Sequence, residues 1–165
     1  MLSIEIKILG MNELNDFRTI RLSALAKAPE MFGSTYSIEV VKPLNFFENC
    51  LSGSTIFGVY HKDKIIGLAT LTRELGIKLS HKAHLSSVFI EPEFQRRGIA
   101  NRLLMTVIEH SKDHLEQILL IVADDNQPAI KLYQKFGFQA YGVESKALKN
   151  NAEYTDELLM KLFLL

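Results

Sequence analysis

The sequence predicts an α+β domain of about seven strands and about four helices. Three observations carry that prediction. Short apolar segments with strand-like alternation recur along the chain, separated by amphipathic segments with apolar residues three and four apart. One apolar strand, Val88-Phe89-Ile90, runs through Glu91-Pro92 into a basic loop and then into a helix marked by Ile99, Leu103, Leu104, Val107 and Ile108. No repeat, low-complexity tract or linker breaks the 165 residues, so a single domain over 1–165 is expected.

The elements are justified in order. Ser3 to Leu9 alternates around Ile4, Ile6 and Ile8 as an opening strand. Asn12 is placed to cap a helix carrying Leu14, Phe17, Arg18, Arg21, Leu22 and Leu25. Pro29 interrupts that helix, leaving Met31-Phe32-Gly33-Ser34 as a loop or a broken turn. A short helix from Pro43 to Leu51 puts Leu44, Phe47 and Leu51 on one face. Ser54 to His61 and Ile65 to Arg73 read as strands, with Lys62-Asp63-Lys64 as the hairpin between them. Ala83 to Ile90 is the strand that feeds the basic loop, and Gly98 to Lys112 is the helix after it. Gln117 to Ala123 holds a continuous apolar run, the pattern of a central strand buried on both faces. Asp124-Asp125-Asn126 then turns into a helix with Pro128 in its first turn, where proline is tolerated, and Gly137 ends it as a left-handed cap. Phe138 to Val143 and Tyr154 to Leu164 complete the sheet.

Composition excludes several function classes. Nineteen basic and nineteen acidic residues cancel, so the chain has no global field for nucleic acid or an anionic membrane. No apolar run reaches the roughly 20 residues of a membrane span, and the N-terminus lacks a signal-peptide pattern. The single cysteine, Cys50, has no partner for an internal disulfide, which suits a cytoplasmic location, and its apolar surroundings favour a core role over a nucleophilic one. His110 and His114 stand four apart on one helix, but no third ligand or HExxH spacing accompanies them, so no metal is expected.

The basic loop is where chemistry concentrates. A helix start leaves backbone N–H groups unpaired, and the helix dipole adds partial positive charge there. Arg96 and Arg97 bring two full charges to the same place, and Gly98 removes the side chain that would hold a ligand off the backbone. The site suits a polyanion, a pyrophosphate above all. It lacks the Gly-Lys-Ser/Thr ending of a nucleoside-triphosphate P-loop and the GxGxxG of a dinucleotide fold.

Gln95-Arg96-Arg97-Gly98-Ile99-Ala100 resembles motif A of the GNAT superfamily of acyl-CoA-dependent N-acetyltransferases, whose signature is Q/R-x-x-G-x-G/A. Asn126-x-x-Ala129-x-x-Leu132-Tyr133-x-x-x-Gly137-Phe138, about 30 residues on, looks like that family's motif B, and the element order matches over nearly the whole chain. The resemblance implies a central mixed, mostly antiparallel, twisted sheet. It also implies acetyl-CoA as co-substrate and acetyl transfer to a primary amine by direct attack in a ternary complex. In relatives the strand before the basic loop bulges and splays from the next strand, and the pantetheine arm lies in the gap. That carries over to Val88, Phe89 and Ile90 for the pantetheine and thioester, with a backbone N–H near Phe89 for the developing oxyanion, and to Gln95, Arg96, Arg97, Gly98, Ile99, Ala100 and Asn101 for the pyrophosphate.

The family places a tyrosine at Tyr133 to protonate the departing thiolate; the bland reading is an aromatic packed beside Leu132 and Phe136. Asn126 caps its helix and, by resemblance, also contacts the cofactor. A general base is harder to find, because Ile121 stands where some relatives carry a glutamate. His84 stands where others carry one, on a strand face shared by alternation with Ser86 and Val88; a water relay or no dedicated base is the other reading. The acceptor, a small-molecule, protein or peptide amine, would enter over the first helices, where Phe32, Ser34, Tyr36 and Glu39 line a pocket or form a structural lid. Glu144 and Glu157 are further carboxylates suited to a cationic acceptor. Dimers are common in the family. The competing class is a non-catalytic acyl-CoA-binding or sensing module, which would keep the loop and lose the acid.

Overall fold

Seven strands occupy Ile4–Ile8 (β1), Thr55–His61 (β2), Lys64–Arg73 (β3), Lys82–Ile90 (β4), Gln117–Ala123 (β5), Gln139–Asn150 (β6) and Glu153–Phe163 (β7) of the computed structural model, which describes residues 2–165. They form one mixed sheet in the order β1-β2-β3-β4-β5-β7-β6. The pairs β1–β2, β2–β3, β5–β7 and β6–β7 are antiparallel, and β4–β5 is parallel over Lys82 to Leu85. Helices lie at Leu14–Lys27 (α1), Tyr36–Glu39 (α2), Leu44–Gly53 (α3), Ile99–Ser111 (α4) and Gln127–Lys135 (α5). The α+β architecture and its mixed, mostly antiparallel sheet are as expected. No described helix is long and apolar enough to cross a membrane.

The chain divides into two compact units. Residues up to Thr72 with Ser86–His110 make the first, and Arg73–Leu85 with Ser111–Leu165 make the second. In the first, α1 and α3 lay their apolar faces on β2 and β3. Phe17, Ile20, Leu25, Phe47, Ile56 and Leu68 are each at most 2% exposed, and each such burial contributes about 1.5–3 kcal/mol. Phe17 and Phe47 meet edge to face at 6.1 Å. In the second, Ile118, Leu120, Phe138 and Met160 are buried, and β5 pairs with β7 along its whole length.

Four sequence expectations need correction. Asn12 does not cap α1: it lies in a 3-10 turn, Met11–Glu13, and Glu13 stands at the cap position while its carboxylate accepts from the Gly10 N–H at 3.3 Å. The one-turn α2 was not foreseen; the Thr35 hydroxyl caps it by accepting from the Ile38 N–H at 3.4 Å. The apolar run of β5 is not buried on both faces, since Ile121 is 54% exposed while Ile118 and Leu120 are covered. Its periodicity could not reveal which face lacks cover. Finally, β6 runs on to Asn150, past a bulge at Lys146 (φ 54°) whose N–H is satisfied by Asp156 Oδ1 at 2.7 Å.

Gly67 of β3 lets β4 come close. A Cβ there would stand 2.7 Å from Ile90 Cδ1, which can rotate away, and 2.8 Å from the Phe89 carbonyl oxygen, which cannot. Gly67→Ala is expected to cost about 1–3 kcal/mol in a urea melt through overpacking. An unchanged midpoint would show that the Phe89 backbone yields.

Candidate active site

The loop after β4 is held by its own hydrogen bonds. The Glu91 N–H donates to the Ile66 carbonyl at 2.8 Å, and Pro92–Phe94 forms a 3-10 turn closed by Phe94 N–H to Glu91 O at 2.9 Å. The Gln95 side chain turns back, its Nε2 donating to Ile90 O at 2.9 Å, so Gln95 braces the loop. Arg96 (φ 62°) and Gly98 (φ 76°) are both left-handed. Such alternation turns successive N–H groups toward one concave side, a nest for anions. The Arg102 N–H then closes the first turn of α4 on Gly98 O at 3.2 Å. A Cβ on Gly98 would meet nothing within 4 Å, so the space before its backbone is open. The side chains of Phe89, Ile90 and Ile99 are buried, Val88 and Ala100 are half-buried, and any ligand contact at Phe89, Ile90 or Ile99 runs through backbone. Beside the loop opens a cleft of about 900 Å³ whose lining includes His61, Lys62, Arg97 and Arg102. Backbone donors, exposed cations and open space fit a diphosphate ester.

The residues read as acceptor-lining surround an ion pair. Arg21 Nε and Nη2 donate to Glu39 at 2.9 and 2.8 Å, and Arg21 Nη1 donates to Ser87 Oγ at 3.0 Å. Phe32 lies against the guanidinium at 5.0 Å, and Ser34 also hydrogen-bonds Glu39. Glu39 is 2% exposed, so it does not present a free carboxylate to a cationic acceptor. Tyr36, by contrast, is exposed. Burial pushes the Glu39 carboxyl up, but the hydrogen bonds from Arg21 and Ser34 and the nearby positive charge outweigh it and hold it below its ordinary value. A depressed carboxyl contributes stability that is present at neutral pH and is lost as pH falls below the ordinary carboxylate range. Glu39→Gln is expected to cost about 2 kcal/mol near neutrality, the scale of hydrogen bonds to a charged group. It should also flatten the decline toward acid pH; an unchanged pH profile in urea melts would refute the assignment.

A second polar cluster holds the end of β4. The Ser23 hydroxyl lies 2.8 and 3.0 Å from the two Glu91 carboxylate oxygens, and Lys27 Nζ donates to Glu91 at 2.9 Å. Glu91 is 7% exposed. That hydrogen bond, with the charges of Glu91 and Glu93, holds the Lys27 ammonium above its ordinary pKa against the opposing effect of burial.

In the second unit, His84 Nε2 lies 2.6 Å from Glu74 Oε1, with both side chains partly exposed. Strict alternation of exposure runs from Lys82 to Ser86 and breaks at Ser87, where φ is +55°. The face shared by His84 and Ser86 therefore does not extend by simple alternation to Val88. Tyr133 is 8% exposed on α5, edge-on to Phe138 at 5.7 Å, and burial pushes its phenol up to about 12. Asn126 caps α5, its Oδ1 accepting from the Ala129 N–H at 3.3 Å. Glu144 and Glu157 face each other across β6 and β7; burial, then the Glu144 charge, raises the Glu157 carboxyl.

Cys50 packs against the apolar core, and burial pushes its thiol up, away from a nucleophilic thiolate. No group of three metal-binding side chains occurs among the described residues. Ser87, Ser23, Lys27 and Glu91 were not singled out from sequence. Arg21 was read only as part of a helix. The one signal, a serine interrupting strand alternation beside Val88, was too weak to find them.

Several known proteins are similar to this chain. The L-amino acid N-acetyltransferase AaaT of Escherichia coli is 33% identical over 98 residues, 58% of this chain and 60% of that protein. An N-alpha-acetyltransferase of Sulfolobus acidocaldarius is 25% identical over 96% of this chain and 92% of its own. Several curated relatives, AaaT among them, are matched over less than two thirds of their own length. A solved structure of yncA from Salmonella typhimurium, described as a putative acetyltransferase with its cofactor acetyl-CoA, has the same fold at a TM-score of 0.79 and 16% identity, covering 99% of this chain and 95% of that one. The family model described as acetyltransferase (GNAT) matches residues 21–138, which include the Arg21 anchor, the loop at Arg96–Gly98 and Tyr133. The chain belongs to the acetyltransferase (GNAT) family.

Proposed function

We propose that the chain is an N-acetyltransferase, acting as one domain over 1–165, that moves the acetyl group of acetyl-CoA to a primary amine by direct attack. The observation that carries this reading is the donor set at the start of α4: left-handed Arg96 and Gly98, two arginines, and open space before the Gly98 backbone. The backbone from Gln95 to Asn101 would hold the pyrophosphate, with Lys62 and Arg102 adding positive charge from the adjoining cleft. The backbone of Val88, Phe89 and Ile90 would pair with the amide-bearing arm much as a strand receives a peptide, and the Phe89 N–H would stabilise charge developing on the carbonyl oxygen. Bound there, acetyl-CoA supplies the activated acyl group.

Tyr133 serves as the acid side of the reaction. A phenol at about 12 lies above an ordinary thiol, so complete transfer to a free thiolate runs uphill. Its part is to donate a hydrogen bond as charge builds on sulfur, which needs only that it stay protonated. His84 is the base: with Glu74 accepting from Nε2–H, the neutral tautomer leaves the Nδ1 lone pair available. The reading is tested by thiol release from acetyl-CoA across a panel of amino acids, polyamines and N-terminal peptides. Turnover on one amine, reduced by His84→Ala with CoA binding intact, is the expected result. Tight CoA binding with no turnover on any amine would favour a binding module.

A further inference from the structure

We propose that Arg21 is a positioning residue for acyl transfer: it fixes the left-handed turn at Ser87 and so sets the direction in which Val88, Phe89 and Ile90 present their backbone. The inference rests on the reading that this segment receives the pantetheine arm.

Ser87 has φ +55° without being glycine, a conformation that costs about 1–2 kcal/mol and persists only where neighbours hold it. The neighbour is Arg21, whose Nη1 reaches Ser87 Oγ at 3.0 Å from α1. Arg21 is itself immobilised. Glu39 takes two of its donors at 2.8 and 2.9 Å, Phe32 stacks on the guanidinium, and Glu39 is closed off from water. A planar fork can serve Glu39 and Ser87 at once; a lysine ammonium cannot match that geometry. The turn changes the phase of β4, ending the alternation that runs from Lys82 to Ser86. Four residues later Glu91 is fixed by Ser23 and Lys27 of the same helix. Helix α1 therefore grips β4 at both ends of one short segment, and the residues between the grips are Val88, Phe89 and Ile90. A buried ion pair is a poor choice for stability alone, since an apolar replacement often does as well. Orientation of a backbone explains its presence better.

The test compares two ligands by calorimetry: CoA, and 3′-phosphoadenosine 5′-diphosphate, a nucleotide that keeps the pyrophosphate and lacks only the pantetheine arm. The wild type is expected to bind CoA more tightly, and the ratio measures the arm's share. Arg21→Met should shrink that ratio about tenfold while affinity for the nucleotide stays within about twofold. Arg21→Lys should behave the same way. Ser87→Ala, which removes only the tie, should move the ratio in the same direction and decides the matter if Arg21→Met fails to fold. Equal weakening of both ligands, or no change in either, overturns the proposal. A wild type that binds CoA no better than the nucleotide removes the pantetheine seat itself, and that failure shows before any variant is made.

Discussion

Tyr133→Phe is expected to lower kcat for amine acetylation by about 10²–10³-fold, the usual scale for losing one hydrogen-bond donor to developing charge, while CoA affinity stays within about twofold. The substitution keeps the ring that packs edge-on to Phe138 and removes only the hydroxyl, so packing and chemistry separate. Burial of the side chain is also what makes the donor dependable. Its phenol, pushed up to about 12, remains protonated through any assay from neutral pH to mild alkali. An alkaline fall in kcat well below 12 must then come from another group. The sign for stability follows from the same shift. Because the folded state favours the neutral phenol, the contribution is complete below the ordinary tyrosine pKa and is lost as pH rises from about 10 through 12. Stopped-flow and steady-state thiol release on the best amine, with a thermal melt alongside, check both parts. A variant with wild-type kcat and a lowered melting temperature would reduce Tyr133 to a core aromatic.

Element order was legible because each element carries its own period. The apolar steps of Ile99, Leu103, Leu104 and Val107 are a helix face that became core, and Ile4, Ile6 and Ile8 alternate as a strand must. The loop was legible for a related reason: Arg96, Arg97 and Gly98 are contiguous, and their chemistry depends on backbone shape that a glycine announces. The Arg21 network was not. Arg21 meets Glu39 across 18 residues and Ser87 across 66, and no local spacing encodes a contact between distant residues. Glu39 shows the consequence most clearly. As a sequence letter it is a carboxylate available to a cationic amine; in the fold, both its oxygens already serve Arg21. Ile121 fails for a different reason, since an apolar run states preference for burial but not whether anything covers it.

Gly98→Val should weaken CoA binding by about 100-fold, roughly 2.7 kcal/mol, measured by calorimetry. Two effects add. Valine is β-branched and Gly98 has φ +76°, a region that costs an L-residue about 1–2 kcal/mol, so the loop would shift its N–H groups to relieve strain. The isopropyl group would also occupy the open space from which a diphosphate approaches those N–H groups. Gly98→Ala separates the two, because one methyl adds strain with less bulk; a loss of about tenfold is expected there. Among the described residues, none other than its chain neighbours lies within 4 Å of the added Cβ, so the alanine has no core clash to unfold it, and its melting temperature should fall only by what the strain costs. That makes the readout specific to the ligand seat. If Gly98→Val melts lower yet binds CoA as the wild type does, the pyrophosphate does not sit on this loop. The two arginines would then be surface charges, and the donor set that carries the functional reading would have to be sought elsewhere in the chain.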